Sequence, residues 1–219
     1  MKRLIVLDTE TTGLDVNDGH RIIELGCVEI IDRNITSNRF HKYINPKRGI
    51  DEGAQSVHGI SNEMLENKPE FRSIIDEFLL FIKNSTLVIH NAPFDLGFLS
   101  SEFIICGKDK NYFEQHHEIL DTLTISRKQY PGKRNSLDAL CSRLEVDNTD
   151  RNFHGALLDA NLLANVYLKM TRGQTTLSMD EKEEHANLTE IEEEITGRDQ
   201  IIIKADNDEI EAHNNYFKS

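Results

Sequence analysis

Apolar residues cluster in short segments that predict five strands. Leu4–Leu7 begins the first strand, which has apolar residues on both sides. Arg21–Ile31 and Ile35–Ile44 have the pattern of a hairpin that turns at residues 32–34. Gly26, inside the second strand, indicates a bulge or a close approach of another backbone. Two later segments predict further strands: Thr86–His90 and Ile119–Leu120.

Helical periodicity follows the hairpin. A helix beginning at Pro69 has one apolar stripe, formed by Phe71, Ile74, Ile75, Phe78, Leu79 and Ile82. Other helices are predicted to begin near Ser61, Pro93, Asp121, Ser136 and Gly155. Residues 45–59 lack this periodicity and predict a long loop, of a length that is often functional. An antiparallel start followed by strand–helix alternation predicts an α/β domain with a mixed central sheet flanked by helices.

Composition changes at residues 171–173. The chain of 219 residues has a formal net charge of −13, and Asp180–Ser219 holds thirteen acids against four basic residues, a balance of −9. Ser178–Gly197 is typical of a linker or disordered stretch, and Ile201–Ile203 and Tyr216–Phe217 are apolar exceptions in the polar tail that are suited to binding a partner. The remaining −4 (−13 minus −9) leaves nucleic-acid binding open, provided that local basic groups attract phosphate. Such groups are Arg127 with Lys128, Lys133 with Arg134, and Arg151.

The cysteines and the apolar segments exclude several classes of protein. Cys27, Cys106 and Cys141 are odd in number, lack ligand spacing and lie in apolar surroundings, which predicts reduced, buried thiols. The first apolar segment is too short for a signal peptide, and no segment is long enough to span a membrane. The sequence therefore predicts a cytoplasmic protein with no membrane partner.

Four acids lie inside or beside apolar segments, where a charge is costly. Strand alternation places Asp8 and Glu10 on one side of the first strand. Asp95 and Asp159 fall on the apolar stripes of their helices. Isolated buried carboxylates are strongly disfavoured unless they are paired, protonated or bound to a cation. Acids from three segments that all face inward therefore predict a site for hard metal ions, and four carboxylates could hold two Mg²⁺ or Mn²⁺ ions.

A histidine accompanies the last of these acids. His154 precedes Asp159 by one helical turn and a little more, at the helix start and outside the regular stripe. From there its imidazole could act as general base toward an attacking water. Each residue also has an ordinary interpretation, because acids commonly cap helices or form ion pairs and a helix-terminal histidine can bind backbone. A single Asp-x-Glu is weak evidence, and only the combination indicates catalysis.

The three blocks resemble the DEDDh 3′→5′ exonucleases, a family named for four acids and a histidine in this order. Asp8-Thr9-Glu10 matches the first block, Asn91–Asp95 the second, and His154–Asp159 the third. Tyr130–Leu140, which reads YPGKRNSLDAL, is similar to the proofreading subunits of bacterial replicative DNA polymerases. The resemblance covers nearly all of residues 1–177 and is highly specific.

This resemblance implies a ribonuclease-H-like fold, hydrolysis at a mispaired DNA 3′ end and release of 5′-mononucleotides. By analogy, Asp8, Glu10 and Asp159 hold one metal ion, Asp8 with Asp95 holds a second, and His154 deprotonates the attacking water. Substrate contacts are expected from Thr11, His58, His90, Asn91 and Phe94. The ordinary alternatives are that His90 caps its strand and that Phe94 belongs to the core.

The resemblance also implies a division of the chain and a set of partners. Three parts are expected, namely an exonuclease domain, a clamp-binding peptide, and a flexible acidic linker with a polymerase-binding tail, at residues 1–172, 173–179 and 180–219. Gln174–Met179 resembles a sliding-clamp motif, with Met179 in place of the usual aromatic residue. Ile201–Ile203 and residues 208–213 are the expected anchors on the polymerase subunit.

Two other functions remain open from the sequence. RNA exonucleases of the oligoribonuclease or ribonuclease T kind share the five catalytic residues, so the chemistry does not separate them from a DNA enzyme. The other is a binding module, in which the acidic tail tethers partners and the nuclease fold is a non-catalytic scaffold. The complete catalytic set argues against pure scaffolding, and the Tyr130–Leu140 block and the tail favour a polymerase subunit.

Overall fold

Five strands of the computed structural model, which describes residues 2–149 and 153–172, form one sheet in the order β3-β2-β1-β4-β5. The strands are β1 (Arg3–Thr11), β2 (Ile22–Ile31), β3 (Asn34–Tyr43), β4 (Thr86–Ile89) and β5 (Ile119–Asp121). The three strands of the N-terminal half pair antiparallel, whereas β1 pairs with β4, and β4 with β5, in parallel. The predicted mixed central sheet is therefore confirmed.

The described residues contain eight α-helices, most of them at predicted positions. They are α1 (Glu52–His58), α2 (Asn62–Leu65), α3 (Phe71–Ile82), α4 (Ala92–Ile105), α5 (Tyr112–His116), α6 (Thr122–Gln129), α7 (Leu137–Leu144) and α8 (Ala156–Met170). Asp121 and Ser136 cap α6 and α7 through side-chain oxygens that accept from backbone N–H groups. Pro93 lies in the first turn of α4, where its missing N–H costs no hydrogen bond.

The prediction of a loop over residues 45–59 is wrong in its second half, because α1 occupies Glu52–His58. Most residues of this short helix are polar or exposed, and only His58 is buried, so no apolar stripe marks it. Helix α3 begins at Phe71 and not at Pro69, since Glu70 occupies the N-cap. Helix α5 and a 3₁₀ turn at Val16–Asp18 were not predicted, because both are too short to show a period.

The two faces of the sheet bury two separate cores, and β1 contributes to both. Ile5 and Leu7 pack on one face with apolar residues of α3 and α4. Leu4 and Val6 pack on the other face with residues of α7 and α8. Because side chains alternate along a strand, Asp8 and Glu10 continue the face that is covered by α8. The last part of the strand therefore directs two acids toward the face that this helix covers.

Two features of the β2–β3 hairpin fix α8 on the sheet. At Gly26 the observed feature is the close backbone approach, since a Cβ atom placed there would lie 2.3 Å from the carbonyl carbon of Ala156. The hairpin turns at Asp32 and Arg33, both with positive φ, as a two-residue type I′ turn requires. From this turn Arg33 donates to the carbonyl oxygen of Leu168 at 2.6 Å, near the C-terminal end of α8.

Several predicted features cannot be compared with the structure. The clamp-binding peptide at 173–179 and the tail at 180–219, with its anchors at 201–203 and 208–213, lie outside the described residues. Within the part of the chain that is described, no helix is both long and apolar enough to cross a lipid bilayer.

Candidate active site

The five predicted catalytic residues converge on one cleft. The cleft has a volume of about 830 Å³, and its lining includes Asp8, Glu10, Asp95, His154 and Asp159. These residues come from β1, from the first turn of α4 and from the start of α8, which are distant in sequence. The fold thus gathers at one point the three blocks on which the family resemblance rests.

Strand β1 presents the first two acids. Glu10 is 9% exposed. It pairs with Glu24 of β2, and Asp8 pairs with Gly26. The pairing of β1 with β2 shifts register between Glu10 and Thr11, directly after the acids. Such irregularities locally re-aim side chains and are common beside active sites.

Asp95 reaches the cleft from the first turn of α4. Asn91, the N-cap of this helix, is left-handed with φ of 68°, which turns the chain from β4 into the helix. Asp95 is 3% exposed, and its Oδ1 accepts a hydrogen bond from Thr9 Oγ1 at 2.7 Å. Burial raises the pKa of Asp95 to about 7, and the hydrogen bond from Thr9 opposes this shift. A cation in the cleft would favour the ionised carboxylate.

His154 and Asp159 lie at the start of α8. The carboxylate of Asp159 is buried, whereas the side chain of His154 is 44% exposed toward solvent. Nδ1 of His154 lies 3.4 Å from Oδ2 of Asp159. The backbone N–H of His154 donates to the carbonyl oxygen of Val57 in α1 at 3.1 Å. The helix that the sequence did not predict therefore fixes the segment that carries the candidate base.

The donor set fits a divalent cation. One ligand atom from each of Glu10, His154 and Asp159 lies within 4.8 Å of the others. Asp8 and Asp95 line the same cleft, so that four carboxylates surround it. Hard cations such as Mg²⁺ and Mn²⁺ prefer oxygen ligands, and buried acids at this density need positive charge nearby. The arrangement agrees with the metal site that the sequence predicts.

A second cavity of about 500 Å³ shares lining residues with the catalytic cleft. The shared residues are Thr9, Glu10 and Phe94, and the remaining lining includes Thr11 and His58. Nδ1 of His58 accepts from a backbone N–H at 3.0 Å, and burial lowers the pKa of this histidine. Its buried Nε2 makes no hydrogen bond of ordinary geometry within the described residues. His58 therefore lines the second cavity while its Nε2 stays buried.

His90 and Asn91 line the catalytic cleft beside the start of α4. Nδ1 of His90 lies 2.9 Å from a threonine hydroxyl at the start of α6, and burial lowers the pKa of this histidine. The backbone N–H of Asn91 donates to Oδ1 of Asp121 at 3.0 Å. Phe94 lines both cavities and also packs against the core, so its position is compatible with either predicted role.

Two residues that support the site are not among the predicted site residues. Thr9 bonds Asp95, and Glu24 accepts a hydrogen bond from the backbone N–H of Ala156. Glu24 carried a usable signal, because it is an acid within the apolar strand segment IIELG, as Asp8 is within LIVLD. Thr9 carried none, since threonine is common in strands.

Two basic residues are part of the lining of the catalytic cleft. Arg127 and Lys133, both from the predicted basic groups, contribute to its wall. Arg134 is not part of the lining, and Arg151 lies outside the described residues. Two cations beside a group of acids give the cleft a mixed charge, which suits a ligand that carries phosphates.

Comparison with known proteins agrees with this geometry. The family model described as Exonuclease (RNase_T) matches residues 5–167. DNA polymerase III subunit epsilon of Salmonella typhimurium is 52% identical over 180 residues, which cover 80% of this chain and 74% of that protein. The subunit of the same name from Buchnera aphidicola is 45% identical over 224 residues, covering 99% of this chain and 96% of its own length.

Solved structures agree on the fold. Exonuclease X in complex with 5′ overhanging duplex DNA superposes with a TM-score of 0.58 and 26% identity, over 77% of this chain and 91% of that one. Exonuclease I superposes with a TM-score of 0.69 and 18% identity, over 81% of this chain and 42% of that one. At this identity the likeness is evidence for the fold only. The predicted ribonuclease-H-like fold is therefore confirmed. The chain belongs to the exonuclease family, as an epsilon-like 3′→5′ exonuclease of the DEDDh type that depends on divalent metal.

Proposed function

We propose that this chain proofreads DNA, removing mispaired nucleotides from the 3′ end by hydrolysis at the cleft between β1, α4 and α8. The observation that carries the proposal is the approach of Glu10, His154 and Asp159 within 4.8 Å. Asp8 and Asp95 complete the set around the same cleft. A group of acids, three of them buried, with one half-exposed histidine suits metal-assisted phosphodiester hydrolysis.

The acids and the histidine would have different roles in the reaction. Asp8, Glu10 and Asp159 would hold one Mg²⁺ or Mn²⁺ ion, and Asp8 with Asp95 a second. The bound ions supply Lewis acidity at the reacting phosphate. With a proton on Nδ1, which faces Asp159 at 3.4 Å, His154 keeps Nε2 free of a proton and able to take one from water. The water oxygen then bonds to phosphorus and the bond from phosphorus to the 3′ oxygen of the preceding nucleotide breaks. That oxygen takes a proton from solvent, and a 5′-mononucleotide leaves.

In this proposal, the terminal nucleotide would occupy the second cavity. Thr11, His58 and Phe94 line that cavity beside Glu10 and would contact the nucleotide there. His90 and Asn91 contribute to the wall of the catalytic cleft. Arg127 and Lys133, on the same wall, offset the charge of the phosphates that approach the acids.

Substrate class is tested with single-stranded DNA and RNA of one sequence. With Mg²⁺ present, we expect 3′-labelled DNA to release labelled mononucleotide, and 5′-labelled DNA to shorten in single-nucleotide steps. The RNA is expected to react at least about tenfold more slowly, a difference of about 1.4 kcal/mol in transition-state binding. A preference for RNA would support the oligoribonuclease-like alternative, and no cleavage of either substrate, with the polymerase subunit present, would support a scaffold.

The tail is proposed to bind other replication proteins. Residues 180–219 would dock on the alpha subunit of DNA polymerase III, with Ile201–Ile203 and residues 208–213 as anchors. Gln174–Met179 would bind the sliding clamp, weakly because Met179 replaces an aromatic residue. The relatives named DNA polymerase III subunit epsilon support this proposal. A cytoplasmic location, where these partners meet chromosomal DNA, belongs to the same proposal.

Truncation after Arg172 separates catalysis from binding. The strands, helices and cleft formed by the described residues all lie before this point. We therefore expect the truncated chain to degrade single-stranded DNA within about twofold of the full chain, while co-purification with the alpha subunit is lost. The test is a pull-down beside a nuclease assay on the same preparations. Retained binding to the alpha subunit would overturn the assignment of the tail.

A further inference from the structure

Helix α8 carries Asp159, yet its N-terminus has no side-chain cap of its own. The N-cap is Gly155, which has no side chain to accept a hydrogen bond from the first turn. An uncapped helix leaves several backbone N–H groups without intrahelical partners. Here the first of them, Ala156 N–H, donates to Oε2 of Glu24 at 3.1 Å, within the buried interior. The cap comes from strand β2, 132 residues away in sequence.

Glu24 is itself held firmly. It is 3% exposed, and its second carboxylate oxygen, Oε1, lies 2.6 Å from Nε2 of His41 on the neighbouring strand β3. Each oxygen of the carboxylate thus has its own partner. A side chain fixed in this way cannot follow the helix if the helix moves, so it defines where the first turn lies.

Two further contacts complete the attachment of α8 to β2 and its hairpin. The backbone of Ala156 and Leu157 lies so close to Gly26 that a Cβ atom there would be 2.3 Å away. At the other end, Arg33 donates to the carbonyl oxygen of Leu168 at 2.6 Å. An acid at the helix N-terminus and a base at its C-terminus both complement the helix dipole. The helix is therefore fixed along its axis as well as against the sheet.

The attachment lies directly beside the catalytic acids. Glu24 pairs with Glu10 across β1 and β2, and Gly26 pairs with Asp8. The two β2 residues that position α8 are therefore the direct strand partners of the two acids in β1. Displacement of a catalytic group by about 1 Å can cost about 100-fold in rate, so this location matters for chemistry as well as for stability.

We propose that Glu24 is a positioning residue for the exonuclease reaction, because its carboxylate caps α8 from strand β2 and so sets Asp159 and His154 against Asp8 and Glu10. The inference rests on the proposed function. It adds a residue that touches neither the substrate nor the reacting atoms. Support residues of this kind commonly change metal affinity or activity by about 10- to 100-fold when they are substituted.

The test compares Glu24→Ala with Glu24→Gln, since the glutamine retains a carbonyl oxygen that can accept from Ala156 N–H. Binding of Mn²⁺ to the DNA-free, full-length chain is measured by calorimetry, beside the melting temperature and the rate on single-stranded DNA. We expect Glu24→Ala to weaken Mn²⁺ binding about tenfold and to lower the rate about 100-fold. Glu24→Gln is expected to recover most of both losses.

Glu29→Ala is the matched control. Glu29 is a buried acid of the same strand, 6% exposed, but it bonds Arg3 at 2.7 Å and faces away from α8. We expect this variant to lose thermal stability while its Mn²⁺ affinity stays within about twofold of wild type. If Glu24→Ala behaves in the same way as Glu29→Ala, Glu24 is only structural and the inference is overturned.

Glu24→Asp keeps the test decisive if Glu24→Ala does not fold. The side chain of aspartate is one methylene shorter, so its carboxylate cannot reach His41 and the N–H of Ala156 together. We therefore expect this variant to bind Mn²⁺ more weakly. Unchanged Mn²⁺ binding would overturn the inference. The readouts also separate the two proposals. Absence of DNA cleavage by the wild-type chain would refute the proposed function, whereas Mn²⁺ affinity tests Glu24 without any substrate.

Discussion

Asp8→Asn should lower the rate of nucleotide release by about 10³-fold or more, because loss of one ligand charge weakens the cation that stabilises the reacting phosphate. Such stabilisation is worth several kcal/mol, and each 1.4 kcal/mol corresponds to about tenfold in rate. The substitution keeps the shape of the side chain, so the fold should be retained. The measurement is single-turnover digestion of 3′-labelled DNA at saturating Mg²⁺.

His154→Ala tests the base in the same assay. Loss of a general base typically costs about 10²- to 10⁴-fold, and we expect a rate loss in that range. Because the alanine leaves room beside Asp159, added imidazole should restore part of the rate. The same addition should leave Asp8→Asn inactive, since imidazole cannot replace a carboxylate that holds a hard cation.

Matched variants outside the cleft provide the controls. Asp76→Asn changes an acid whose side chain is 89% exposed, and His116→Ala removes an exposed imidazole stacked on Tyr112. Both should keep the wild-type rate within about twofold, as surface substitutions usually do. An Asp8→Asn or His154→Ala variant that is as active as these controls would exclude the proposed role of that residue.

Gly26→Ala should damage both stability and catalysis through a single methyl group. The new Cβ would lie 2.3 Å from backbone atoms of Ala156 and Leu157, which cannot rotate away as a side-chain end could. Helix α8 must therefore move off the sheet. Overpacking of this kind costs about 1–3 kcal/mol, occasionally more, and a shift of Asp159 by about 1 Å would lower the rate about 100-fold.

Gly97→Ala is the control for this prediction, because a Cβ at Gly97 in α4 meets nothing within 4 Å. Alanine is the better helix former by about 1 kcal/mol, so this variant should be at least as stable as wild type. Denaturant unfolding and the DNA assay, run on both variants, measure the difference. If Gly26→Ala unfolds at the same denaturant concentration as Gly97→Ala, the close contact between β2 and α8 does not exist in solution.

The sheet and most helices could be predicted because their signals are local. The apolar stripe that begins at Phe71 and the caps at Asp121 and Ser136 are each contained within a few residues. Helix α1 was missed because its sequence, EGAQSVH, buries only His58. Its hydrogen bond to the segment of His154 arises from tertiary contact, which no local pattern records.

The same contrast between local signals and tertiary contacts applies to the candidate site. The types and order of the candidate catalytic residues are visible in the sequence, because acids stand out against apolar neighbours such as those of Asp8 and Asp159. Their geometry is not visible, since Thr9 meets Asp95 across 86 positions and Glu24 meets Ala156 across 132. A supporting residue acts through its hydrogen-bond partner, and only the fold brings that partner close to it.

The placement of α8 on β1 and β2 also determines when the enzyme becomes active during its own synthesis. Asp8 and Glu10 leave the ribosome early, whereas Asp159 belongs to the last described helix, which ends at Met170. Contacts across such long sequence separations close late, since the entropy of the intervening loop must first be overcome. A nascent chain that stops before His154 lacks both this histidine and Asp159. We therefore expect nuclease activity only after α8 has docked on β1 and β2.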